Sequence, residues 1–218
     1  MTNQGVDPSD LARLTDKGPF LSVYVPSVEE WETVRPEVAE MGAPESALNL
    51  VDFVVSHDDL ADETLVVITN TDQVLMSDHL PDQLIYGRAS WAPNADLVPI
   101  IKARQEQHPS VAVPEDDPVA VATAVAEDTV SLLEQFKRDR GRRDLVADGI
   151  HETAEAITSG AVEVLLVRDD RDERHNVTPE DAAVVDALIR DAILTGATVR
   201  VVPVNGPVSD GVGALLRN

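Results

Sequence analysis

The 218-residue chain carries 40 acidic against 17 basic side chains, a formal charge of −23, and no cysteine. This excludes disulfides, thiolate nucleophiles and Cys-based zinc sites. It also disfavours unassisted binding to DNA or RNA phosphates, which needs Lys and Arg to neutralise them, and with only 3% aromatics a base-stacking surface is not expected. No apolar run approaches the ~18 residues of a membrane span, and the opening MTNQGVDPSDLARL lacks a basic and an apolar region, so a cytoplasmic chain with no membrane partner is expected. The charge suits either heavily screened, high-salt surroundings or an ordinary acidic cytosolic protein, and the sequence leaves both open.

In chain order, a short helix is expected over Asp10–Thr15, then a break at Gly18-Pro19 and a compact strand, Phe20–Val25, closed by Pro26. Glu29–Val55 reads as helical with an interruption at Gly42–Pro44, because Ala47, Leu48, Val51, Val54 and Val55 recur at helical spacing. Thr64–Thr69 is a strand that turns at Asn70-Thr71-Asp72 into a returning strand over Gln73–Met76. An edge strand at Leu84–Ala89, a helix from about Asp96 and a short strand at Ser110–Val113 complete this half.

The proline-bracketed acidic stretch Pro114–Pro118 marks the expected boundary. Beyond it, Val119–Arg140 has the pattern of a long amphipathic helix, with Lys137, Arg138 and Arg140 at the negative end of its dipole and Gly141 as its stop. A helix over Asp144–Ser159, a strand over Val162–Val167, a helix capped by Thr178 with Pro179 at its first position, and a strand over Thr198–Val202 follow. The tail is read as a terminal SDGVGALLRN segment. The expected fold class is α/β: an α+β domain over 1–114, an acidic linker and connecting helix over 115–143, and an α/β sandwich domain over 144–218.

Motifs that carry chemistry are scarce. Gly211-Val212-Gly213 has no βαβ unit behind it and is no dinucleotide fingerprint. The sequence holds no GxxxxGK[ST], GxSxG or HExxH, and its five histidines lack metal-ligand spacing, so no catalytic residue, cofactor or metal is expected. His57-Asp58-Asp59 reads as a solvated helix end. Candidate contacts for an RNA phosphate or an acidic partner are Arg138, Arg140, Arg142 and Arg143, the one dense basic group, and Arg168, Arg171 and Arg174 in the mixed-charge loop after a buried strand. The competing readings are a helix end completing its dipole and an exposed loop of screened ion pairs.

Three stretches taken in order resemble one family: Gly18–Ser27 (GPFLSVYVPS); Thr64–Pro81 (TLVVITNTDQVLMSDHLP) with Ala95–Arg104; and Asp148–Val167 (DGIHETAEAITSGAVEVLLV) with Asp210–Arg217 (DGVGALLR). The pattern is similar to the archaeo-eukaryotic release factor and Pelota superfamily, on the bacterial and archaeal branch near the actinobacterial Balon-type ribosome hibernation factors. The resemblance implies that the last domain is like release factor domain 3. It also implies that the middle domain, which carries the Gly-Gly-Gln loop of true release factors, is missing, since the chain has no Gly-Gly pair. The function implied is a non-catalytic ribosome-associated factor whose first half contacts the A-site region of the small ribosomal subunit and whose last domain contacts a translational GTPase or the ribosome's stalk region. A peptidyl-tRNA hydrolase and an off-ribosome protein-binding module are the alternatives.

Overall fold

The computed structural model describes residues 14, 18–58, 63–80, 87–107, 117–142, 144–169 and 179–217. They form two compact units, one within Arg13–Asp96 and the other from Leu97 onward. The fold is mixed, each unit pairing helices with its own four-stranded sheet.

In the first unit, β1 (Phe20–Val25) lies between β2 (Thr64–Thr69) and β4 (Arg88–Ala92), and β3 (Val74–Leu80) completes an antiparallel sheet ordered β3-β2-β1-β4. Every residue of β1 and β2 is buried, as expected of central strands made of consecutive apolar, largely β-branched residues. Leu21, Val23, Val25, Leu65 and Val67 pack with Trp31, Val34 and Val38 of α1 (Val28–Glu40) and with Leu48, Val51 and Val55 of α2 (Glu45–His57). Ser27 caps α1, its Oγ accepting the Glu30 N–H at 3.2 Å. Between the two helices, Asp52 accepts from Trp31 Nε1 (2.7 Å) and from Arg35 Nε (3.0 Å), while Arg35 Nη2 also donates to Glu45 at 2.7 Å. The Asp52 and Glu45 carboxylates raise the Arg35 pKa further, so the clasp stays charged on the cation side at every working pH.

The second unit holds α3 (Val98–Gln107), α4 (Pro118–Asp139), β5 (Val146–Asp148), α5 (Ile150–Thr158), β6 (Val162–Arg168), α6 (Pro179–Leu194), β7 (Thr198–Val202) and β8 (Val212–Leu216). Its sheet is ordered β5-β8-β6-β7, with β6 and β7 parallel and the other pairs antiparallel. On one face Phe136 of α4 is buried with Val146, Leu166, Val202, Val208 and Leu215. Gly213 makes room for it, since a Cβ there would lie 2.7 Å from the Phe136 ring. Gln105 of α3 closes the outer edge of β7 by pairing both ways with Val201: the Val201 N–H donates to its Oε1 (3.0 Å), and its Nε2 donates to the Val201 carbonyl (3.1 Å). A covered edge offers no free ladder to another chain.

The strands Phe20–Val25, Thr64–Thr69 and Thr198–Val202 stand where the sequence places them. Other elements differ: β3 runs on to Leu80, past the expected Met76, and the edge strand β4 occupies Arg88–Ala92, where Leu84–Ala89 was expected. The helix expected over Asp144–Ser159 is instead the strand β5, a turn at Gly149 with φ +87°, and α5 from Ile150; and the tail, given no element from sequence, is the central strand β8, to which β5 pairs. The partner of Val146–Asp148 lies more than sixty residues away, so local periodicity cannot reveal it. Packing divides the chain between Asp96 and Leu97, which sets α3 in the second unit, whereas composition points to the Pro114–Pro118 stretch. Most of that stretch, the expected strand Ser110–Val113, the expected helix Asp10–Thr15 apart from Leu14, and residues 84–86 of the expected edge strand lie outside the described residues.

Candidate partner-contact surface

The basic group is carried by the end of α4, where the amphipathic pattern runs out and Gly141, with φ +92°, stops the helix. Arg138 and Arg142 have side chains 70% and 62% exposed, each beside Asp139, at 3.9 and 3.7 Å. Arg140, its side chain 46% exposed, is held by partners within the chain. Its Nη2 lies 2.6 Å from Asp148 Oδ2 and donates to Ser209 Oγ at 3.0 Å. Asp148 in turn accepts from the Ser209 N–H (2.8 Å) and the Ser209 hydroxyl (3.0 Å). Arg168, half-buried at the end of β6, donates to the neighbouring Val208 carbonyl at 3.4 Å. Arg140 and Arg168 thus hold adjoining residues of one loop, and Arg138 and Arg142 present their guanidiniums outward. Arg143, Arg171 and Arg174 lie outside the described residues.

This arrangement explains the two Asp-Gly motifs. Gly149 donates its N–H to the Val212 carbonyl at 3.0 Å, and the side chain of Asp210 lies against Gly149, 2.9 Å from where a Cβ would be. Asp210 has φ +51° and Gly211 φ +78°, left-handed conformations that Asp tolerates and Gly favours. The terminal arginine of DGVGALLR, Arg217, donates to the Gly160 carbonyl at 3.0 Å and to the Thr195 and Gly196 carbonyls at 3.2 Å. One cation therefore satisfies the C-terminal ends of both α5 and α6, where the helix dipoles favour positive charge.

The first unit holds a polar cluster that the sequence reading missed. Asp96, 5% exposed, pairs with Arg88, and its carbonyl accepts from the Tyr24 hydroxyl. Its N–H donates to Ser22 Oγ at 3.1 Å, and the Arg88 guanidinium lies 5.5 Å from the centre of the Tyr24 ring. A serine and a tyrosine alternating within an apolar strand were the available signal, since buried hydroxyls need partners. His57 is exposed, its ring 4.4 Å from that of Phe53, and Asp58 bonds to His79 at 2.9 Å. Among the described residues no group of three His, Asp or Glu side chains could hold a metal ion, and no helix is long and apolar enough to cross a membrane. What these clusters offer chemically is charge pairing and an exposed cationic helix end.

No family model and no curated protein matches the chain. Solved structures similar to it include the crystal structure of Archaeoglobus fulgidus Pelota, at 24% identity over 46% of this chain and 32% of that one, TM-score 0.35. Archaeal translation termination factor aRF1 overlaps 98% of this chain and 99% of its own at 12% identity, TM-score 0.33. A chain from a model of ribosome-bound archaeal Pelota and ABCE1 is 19% identical over 72% of this chain and 59% of that one, TM-score 0.36. The chain thus spans about a third of the length of the Archaeoglobus fulgidus protein.

Proposed function

We propose that this chain is a non-catalytic, ribosome-associated factor of the release factor and Pelota type, acting in hibernation or a related stress response. The observation that carries the reading is where the resembling stretches fall. GPFLSVYVPS supplies β1 and TLVVIT the adjacent β2, while GAVEVLLV supplies β6 beside the β8 of DGVGALLR, with the Asp148-Gly149 turn closing on Asp210. Stretches far apart in sequence meet as neighbours, as expected if they were kept together as the packing units of one inherited fold.

The absent Gly-Gly pair and the short passage from α3 to α4 support a chain without the hydrolytic middle domain. On this reading the second unit meets a translational GTPase, with Arg138 and Arg142 its outward cations, and the first meets the A-site region of the small ribosomal subunit. The test is sedimentation of tagged protein from growing and starved cells at native ionic strength. Association with ribosomes in starved cells is the expected outcome, and protein wholly in the soluble fraction under both conditions sinks the proposal. Purified protein is expected to release no peptide from peptidyl-tRNA; release would replace this reading with a hydrolase.

A further inference from the structure

Beside the outer edge of β5 runs an open groove of about 560 Å³, walled by α5 on one side and β5 on the other. Ala147, Ala156 and Leu216 give it an apolar floor, and Asp144, Glu152 and Glu155 supply its charge. Arg217 also lines it, but that guanidinium is turned to the carbonyls of Gly160, Thr195 and Gly196. The backbone of β5 sharpens the chemistry. Leu145 accepts the Leu216 N–H (2.9 Å) and Gly149 donates to Val212 (3.0 Å), so by strand alternation the groups of Val146 and Asp148 face outward. Both outward N–H groups are already bonded within the chain, Val146 to the Arg142 carbonyl (3.0 Å) and Asp148 to Glu152 Oε2 (3.2 Å).

The groove is therefore rich in acceptors and negative charge, with its edge donors spent. An occupant must bring donors and positive charge, and must be extended to follow a strand and a helix side by side. A nucleic acid brings phosphates into a wall of carboxylates and is repelled; a cationic peptide is attracted. We infer that this groove receives an extended basic segment of a protein partner, with alternate apolar side chains on the Ala147–Ala156 floor and lysines or arginines toward Asp144 and Glu155. The inference stands on the groove itself: failure to co-sediment with ribosomes leaves it untouched, and loss of peptide binding leaves the ribosome reading untouched.

The test is fluorescence anisotropy of the whole protein with a labelled, end-blocked octapeptide of alternating Lys and Val. Saturable binding that weakens as KCl is raised is expected. The Asp144→Lys/Glu155→Lys variant should bind at least tenfold more weakly, while Glu32→Lys/Glu37→Lys, the same charge change on the exposed side of α1, should stay within twofold. Should the double variant not fold, Glu155→Lys alone, on a side chain 72% exposed, reads the same direction. Equal loss in the α1 control, no loss in the groove variants, or an RNA octamer bound as tightly as the peptide would each overturn the inference.

Discussion

The two units are stabilised in different ways. In the first, several ties are supplied by neighbours in sequence, alongside the distant ties of Asp96 to Tyr24 and Ser22: Ser27 caps the helix it precedes, Asn70 Oδ1 accepts the N–H groups of Asp72 and Gln73 at 2.8 Å to set the β2–β3 turn, and adjacent helices are clasped by Arg35 and Asp52. The second also has a local cap, Asp117 at the start of α4, but several of its positions are held from far away. The start of α5 has no side-chain cap of its own; Asp148 just before it is tied to Ser209 and Arg140, the ends of α5 and α6 share Arg217, and the β7 edge is closed by Gln105. The second unit is thus organised around its last strand. Side chains that look like surface charge in the sequence are there the ties between remote segments.

The largest effect should come from the contact between Phe136 and Gly213. Phe136→Ala empties a fully buried ring site and is expected to cost about 3–5 kcal/mol in urea unfolding. Gly213→Val drives two methyl groups into the space that the ring fills, at a cost of roughly 1–3 kcal/mol or more. If the two side chains compete for one volume, Gly213→Ala combined with Phe136→Leu will be less damaging than the sum of the single changes. Strict additivity would show that β8 is not positioned by this contact.

A second, smaller contrast compares the two aspartates directly. Asp148 is 17% exposed and binds nearby Arg140 together with the N–H and hydroxyl of the remote Ser209; Asp52 is 39% exposed and binds Trp31 and Arg35 on the preceding helix. Asp148→Ala is expected to cost about 2 kcal/mol, because it leaves the part-buried Ser209 N–H without its acceptor, while solvent reaches Arg140. For Asp52→Ala solvent replaces part of what is lost, and about 1 kcal/mol is expected. Equal costs, measured by chemical denaturation, would erase the distinction between local and remote ties.

This division also decides what could be read from the sequence. β1 and β2 are largely apolar, β-branched-rich runs between turn residues, so their own composition announces them; β7 (TVRVV) is valine-rich despite Arg200. β5 has three residues, and its identity as a strand resides in its pairing with Val212–Leu216. The same holds for the candidate surface. Arg138, Arg140 and Arg142 look equivalent on a helix end, yet Arg140 is tied to Asp148 and to Ser209, the latter a partner no local pattern could name. The Asp96–Arg88–Tyr24 cluster was hidden for the same reason, its members being brought together only by strand register.

The finest test concerns the cap of α1, where a local tie should show locally. The Glu29 carboxylate lies in the first turn and is held below its ordinary pKa by its own backbone N–H and then by the Ser27 hydroxyl. A depressed folded-state pKa adds stability that is present above the unfolded value and lost as pH falls through the folded one. Side-chain NMR titration should therefore place the Glu29 midpoint below that of an unconstrained glutamate, and Ser27→Ala should move it back up. Because the group is fully exposed, the global unfolding midpoint should hardly follow. A Glu29 midpoint unchanged by Ser27→Ala would mean that the helix end and not the serine sets it, and the cap would then be weaker evidence for local control of the first unit.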